Sequence, residues 1–179
     1  MQKLVSAIEQ ITDWLGALLG WLCLAMMLIT CAVVAMRYLF HSGGIIFFQE
    51  LTAYLHATIF LLASGWALKR HSHVRVDVFY RRFSPTAKAW VNSLGVLLFL
   101  LPVCVYLFFA SIDFVALSWS IKEASGDSGG IAYVYLLKTL IPTSAVALGI
   151  QGLAELVKNA LFLAGVAQLP MQANSTNEL

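Results

Sequence analysis

Long stretches without a single charge constrain this chain more than anything else in it. Residues 14–36 form an uncharged run of 23, residues 51–68 one of 18, and residues 89–112 one of 24. A helix needs about 20 mainly apolar residues to cross roughly 30 Å of hydrocarbon. In lipid, backbone N–H and C=O groups must be satisfied within the segment, so each run is expected to be helical. A fourth, weaker candidate covers 138–163, where Glu155 and Lys158 interrupt the second half. Residues 45–48 extend the second run upstream across Gln49 and Glu50. The expected spans are therefore about 14–37, 46–68, 89–112 and 138–163, in one all-α transmembrane domain over residues 1–170. Only 11% of the 179 residues are charged, against about 25% in an ordinary globular domain. That is too little charge to cover a soluble surface of this size.

The run at 14–36 exceeds the roughly 7–15 residues of a signal-peptide core. It also follows two acids, Glu9 and Asp13, so a retained span is expected. His41-Ser42-Gly43-Gly44 and Ser125-Gly126-Asp127-Ser128-Gly129-Gly130 read as turns between spans. Six of the eleven basic residues (Lys69, Arg70, Arg75, Arg81, Arg82 and Lys88) fall between the second and third spans. Basic loops stay in the cytoplasm, so this loop and both termini are expected there. The polar tail 171–179 is expected to be disordered.

Two short amphipathic surface helices are also expected. Leu4, Ile8, Ile11 and Leu15 recur at helical spacing ahead of the first span. Val76, Phe79, Tyr80 and Phe83 do so in the basic loop, where Asp77 and Arg81 are spaced for an i,i+4 pair.

Chemistry is sparse. Ionisable groups near a bilayer centre usually mark a functional site, and the candidates here lie toward span ends. Glu50 is expected to pair with Arg37, and Asp113 with Lys138. Glu155 and Lys158, three apart, are expected to pair with each other, with Gln151 bonding a neighbouring helix. His56 is expected in the bundle interior, hydrogen-bonded. It is a single histidine, whereas a haem held between helices takes paired axial ligands. His71 and His73 lack the further ligands a metal site requires. Cys23, Cys31 and Cys104 all lie in apolar runs and are expected to be buried structural residues, with no disulfide or redox role. Gly16 and Gly20 form a GxxxG for close helix approach. Ser93 and Gly95 are read as packing positions, and Pro102 and Pro142 as kinks. No cofactor, metal or catalytic residue is expected. The net charge of +2 gives no reason to expect a nucleic-acid partner.

Three stretches carry a family resemblance. They are Phe48-Gln49-Glu50-Leu51-Thr52-Ala53-Tyr54-Leu55, Ala63-Ser64-Gly65-Trp66-Ala67-Leu68-Lys69-Arg70, and His73-Val74-Arg75-Val76-Asp77-Val78. Together they resemble the small membrane (Q, DctQ-like) subunit of tripartite ATP-independent periplasmic (TRAP) transporters. Glu50 and Tyr54 match that family's start to the second span, and His73, Arg75 and Asp77 match its element after that span. The resemblance implies a non-catalytic subunit of the bacterial inner membrane. Its implied partners are the large membrane (M) subunit, which moves substrate in an elevator-like motion, and a periplasmic substrate-binding protein. It implies sodium-gradient-driven uptake of an organic acid, with the small subunit anchoring the static scaffold in the bilayer. Arg37, Glu50, Tyr54, His73, Arg75, Asp77, Arg81 and Lys138 are then structural or partner-contact residues. Two competing expectations are a self-sufficient multidrug-type carrier that uses Glu50 for coupling, and a membrane cytochrome.

Overall fold

A computed structural model describes residues 2–39, 46–70, 80 and 83–165. These form helices α1 (Gln2–Leu39), α2 (Ile46–Lys69), α3 (Pro85–Gly95), α4 (Leu101–Ser120) and α5 (Val134–Leu163). A π-helical segment, Val96–Leu100, joins α3 to α4. Four helices are long and apolar enough to cross a membrane: Val5–Leu39, Ile46–Lys69, Pro85–Ser120 and Val134–Leu163. The four-span, all-α expectation holds, and among the described residues there is no strand.

The helices overrun the apolar runs. No glycine or proline interrupts the chain before Gly16, so the stretch expected to be a separate surface helix is instead the first turns of α1. At 1.5 Å per residue, the 38 residues of α1 measure about 57 Å, well beyond the roughly 30 Å of hydrocarbon. Of the expected apolar stripe, Ile8 and Leu15 are half-buried and Ile11 is exposed. Most of the second expected surface helix, including Asp77 and Arg81, lies outside the described residues.

The entry to α3 follows from its sequence. Ser84 is extended and its Oγ accepts from the Ala87 N–H at 3.2 Å, while Pro85 takes a first-turn position where a missing N–H costs nothing. Pro102, 17 residues further into the rod than Pro85, would collide with a carbonyl one turn back. The π-helical segment lies directly before it, with the Leu101 N–H reaching Val96 O, so the widened turn absorbs the proline inside a continuous rod. At its far end α4 closes with two reversed bonds, Glu123 N to Ser118 O at 3.0 Å and Lys122 N to Trp119 O at 3.3 Å. Lys122 takes the left-handed position (φ +49°) that this cap usually gives to glycine.

α5 is the centre of the bundle, touching α1, α2, α3 and α4, while α1 also lies along α2. Its Ala145, Gln151, Gly152, Ala154, Glu155 and Asn159 are buried. The sequence makes this the least convincing span because its polar residues dilute its hydropathy. Those residues face protein rather than lipid, which is why the helix tolerates them. Gly149 and Gly152 serve the contacts with the third rod: a Cβ at 152 would come 2.5 Å from Leu100 Cδ2.

Only half of the GxxxG pair is used for close approach. A Cβ on Gly16 would lie 2.3 Å from the Trp66 ring on α2, whereas one on Gly20 would meet nothing within 4 Å. Gly95, expected to serve packing, likewise has no neighbour within 4 Å of a Cβ. Gly16→Ala is therefore expected to destabilise the bundle by about 1–3 kcal/mol, as overpacking does, and Gly20→Ala to have little effect. Thermal melting of the two variants in detergent, with Trp fluorescence, checks this; equal melting of both would count against the Gly16–Trp66 contact.

Candidate functional site

Polar chemistry collects at the two ends of the bundle. At one end, Glu50 on the second turn of α2 holds the loop 121–133. Its carboxylate accepts from Ser125 Oγ through Oε1 and from the Ile131 N–H through Oε2 at 2.5 Å. The loop is also bonded to itself: Ser125 N to Ile131 O at 3.0 Å, Gly130 N to Asp127 O at 3.0 Å, and Asp127 N to Ser125 Oγ at 3.1 Å. A Cβ on Gly130 would sit 2.6 Å from Glu50 Oε1, so only glycine fits beside the carboxylate. The expected Glu50–Arg37 pair does not form, and Arg37 is exposed on α1. Neutral donors from a distant loop satisfy the carboxylate instead. One turn further along α2, the Tyr54 hydroxyl is buried with no hydrogen-bond partner among the described residues.

The same end holds an aromatic and cationic cluster. Lys138 reaches Glu123 at 2.5 Å and lies 4.0 Å from the Phe114 ring centroid. The Lys138 ammonium holds the Glu123 carboxyl below the usual carboxylate range. Lys138 was expected to pair with Asp113. The loop residue Glu123 takes it, because the turn after α4 folds back over the start of α5. Lys122 lies 4.7 Å from the Trp119 ring and 5.1 Å from Tyr135, and Trp119 Nε1 donates to Thr139 Oγ1 at 2.9 Å. These cation–π contacts help hold Lys122 in its left-handed conformation.

At the opposite end a charged network joins three helices. Lys158 lies 2.6 Å from Glu155, as its spacing predicts, and also 2.6 Å from Glu9 on α1. Gln151 accepts from Thr12 Oγ1 at 3.0 Å, the neighbouring-helix bond expected of it. Gln151 and Glu155 are 1% and 4% exposed. Lys69 at the end of α2 reaches Asp13 at 2.6 Å and the Glu9 carbonyl at 2.8 Å. Sequence reasoning missed Thr12, and it missed the partners of Glu9 and Asp13, whose stretch is expected to form a separate surface helix. The signal was present: acids spaced i,i+4 precede the first span, and basic residues close the second and fourth.

His56 is not interior. It is exposed on α2 and stacks on Phe60, with ring centroids 6.4 Å apart and planes 12° from parallel. His73, Arg75, Asp77 and Arg81 lie outside the described residues. Among the described residues no three His, Cys, Asp or Glu side chains stand together as a metal site would need. A groove between α4 and α5, lined by Cys104, Phe108, Ala145 and Gly149 among others, is almost wholly apolar; Cys104 is buried as expected, whereas Cys23 and Cys31 are exposed on the outer face of α1, where a membrane helix is apolar as well. The chemistry that the described residues offer is fastening: ion pairs and hydrogen bonds that fix helices and one loop.

The family model described as "Tripartite ATP-independent periplasmic transporters, DctQ component" matches residues 26–162. A similar protein is the "C4-dicarboxylate TRAP transporter small permease protein DctQ" of Vibrio cholerae serotype O1 (strain ATCC 39315 / El Tor Inaba N16961). It is 37% identical over 78 residues, which is 43% of this chain and 33% of that protein. The similarity thus spans about a third of the relative's own length. No solved structure matches.

Proposed function

The chain belongs to the DctQ component family of TRAP transporters, and from that premise we propose that it is the static scaffold for a large membrane subunit that carries the transport site. The large subunit moves an organic acid by an elevator-like motion driven by an ion gradient, with sodium as the coupling ion, and an exported binding protein delivers the substrate. The basic-loop end of the bundle faces the cytoplasm and the Glu50 end faces the periplasm, so that the loop segment Lys122–Ile131 is on the side of the binding protein.

What carries this reading is how the ionisable groups are used. Glu50, Glu123 and Lys138 are committed to fixing one loop, and Glu9, Asp13, Lys69, Glu155 and Lys158 to tying three helices together. Groups held in this way are not free to bind and release an ion, and Asp113, which the described residues leave without a partner, is exposed on α4 rather than inside the bundle. The same commitment of Glu50 argues against the multidrug-type reading, and a single exposed histidine on α2 argues against a cytochrome.

Reconstitution tests the proposal. Proteoliposomes holding this chain and the large subunit, given the binding protein and an inward sodium gradient, are expected to take up a dicarboxylate or related acid. Liposomes lacking either membrane subunit should not. Uptake by this chain alone would overturn the scaffold reading.

A further inference from the structure

The third rod carries a face that the bundle leaves uncovered. Val103, Tyr106, Ala110, Asp113 and Leu117 follow one another at spacings of three, four, three and four along α4. All five are exposed, Tyr106 at 71% and Leu117 at 64%. The opposite face, with Cys104, Ser111, Val115 and Ser118, is buried toward the bundle. An alternating three–four repeat keeps a seam turned toward one straight neighbour over many turns, as in helices that pack side by side. A small residue in such a seam lets a neighbouring backbone come close, and Ala110 lies one turn from Asp113.

Asp113 gives the seam a chemical preference. It is seven residues, about 10 Å, inside the end of α4. Apolar residues lie on both sides of it, in a helix long enough to cross the membrane. Among the described residues no cation or hydrogen-bond donor pairs with it, because Lys138 is committed to Glu123. An ionised carboxylate on a membrane-facing surface is costly unless a partner compensates it. Lipid chains supply no counter-charge. A second copy packed seam to seam would bring Asp113 against Asp113.

We infer that this seam is the docking surface for a membrane-spanning helix of the large subunit, and that this helix presents a Lys or Arg side chain to Asp113. The inference rests on the proposed partnership with that subunit and adds the face and the chemistry of the contact.

Both points are tested in the co-expressed complex. A benzophenone amino acid in place of Tyr106 or Leu117 is expected, on illumination, to give a covalent adduct between this chain and the large subunit. Asp113→Lys is expected to reduce co-purified large subunit by at least about tenfold, since like charges meet across the contact. Asp113→Glu should retain it, and the isolated chain should melt as wild type in both variants. Failure of Asp113→Lys to fold would show in that melt, and the two cross-linking positions then decide, since they leave Asp113 in place. The inference is overturned if the wild-type complex co-purifies while the cross-linker captures only a second copy or nothing, or while Asp113→Lys folds and binds normally; the partnership itself would then stand. If the wild-type chain and the large subunit do not co-purify, the partnership fails, and the seam's assignment with it.

Discussion

Lys158→Met is expected to destabilise the bundle by about 3 kcal/mol, the lower part of the range for removing one member of a buried ion pair. Lys158 sits 2.6 Å from both Glu9 and Glu155, and the Glu155 side chain is only 5% exposed. Methionine keeps the length of the stem and removes the cation, leaving two carboxylates facing each other in a poorly hydrated place. Because the Lys158 side chain retains some access to solvent, the full penalty of a sealed site does not apply. The partner variants give the stronger test. Combining Lys158→Met with Glu9→Gln and Glu155→Gln should recover most of the loss, since the cost lies in uncompensated charge rather than in a missing bond. Denaturation in mixed micelles measures both variants. A change within about 0.5 kcal/mol for the single variant, typical of a surface substitution, would mean that water already screens these groups.

Glu50→Ala is expected to act chiefly on the loop rather than on the helices, because it removes the acceptor that fastens the loop 121–133 to α2. The Ile131 N–H and the Ser125 hydroxyl lose their acceptor together. Limited proteolysis should then cut the loop several-fold faster, while the helices resist. Glu50→Gln keeps a carbonyl oxygen for the Ile131 N–H and should lose less than Glu50→Ala. Gly130→Val should resemble Glu50→Ala, because a side chain there would enter the space of the carboxylate. If the loop of Glu50→Ala is as resistant as wild type, then its own internal bonds hold it and Glu50 adds little.

Features repeated along the chain were legible in the sequence, and single long-range contacts were not. Four spans follow from uncharged length, and the Glu155–Lys158 pair follows from its spacing on one helix. The partner of Glu50 could not be read, because its best donor is a backbone N–H 81 residues away and every residue but proline carries one. Assigning Arg37 to it rewarded nearness in sequence and opposite charge, and neither guarantees that two side chains meet. His56 shows the converse error: burial was inferred from its apolar surroundings in sequence, yet a helix inside a membrane is apolar on its outer face as well. The role of Glu9 and Asp13 was hidden because the first span was taken to begin where charge ends. The helix itself runs on, and its acids meet the basic ends of α2 and α5.

The central position of α5 has a consequence for biosynthesis. Among the described helices it comes last in chain order, yet it is the one against which the third rod chiefly packs. The α1–α2 hairpin can assemble as soon as both helices are made, and Lys69 can already find Asp13. The rod Pro85–Ser120 has to wait in the bilayer without its main neighbour until Val134–Leu163 is inserted. Until then Glu9 also lacks Lys158, and Thr12 lacks Gln151. A bundle of α1–α4 alone thus leaves Glu9 and Thr12 without the partners that α5 supplies.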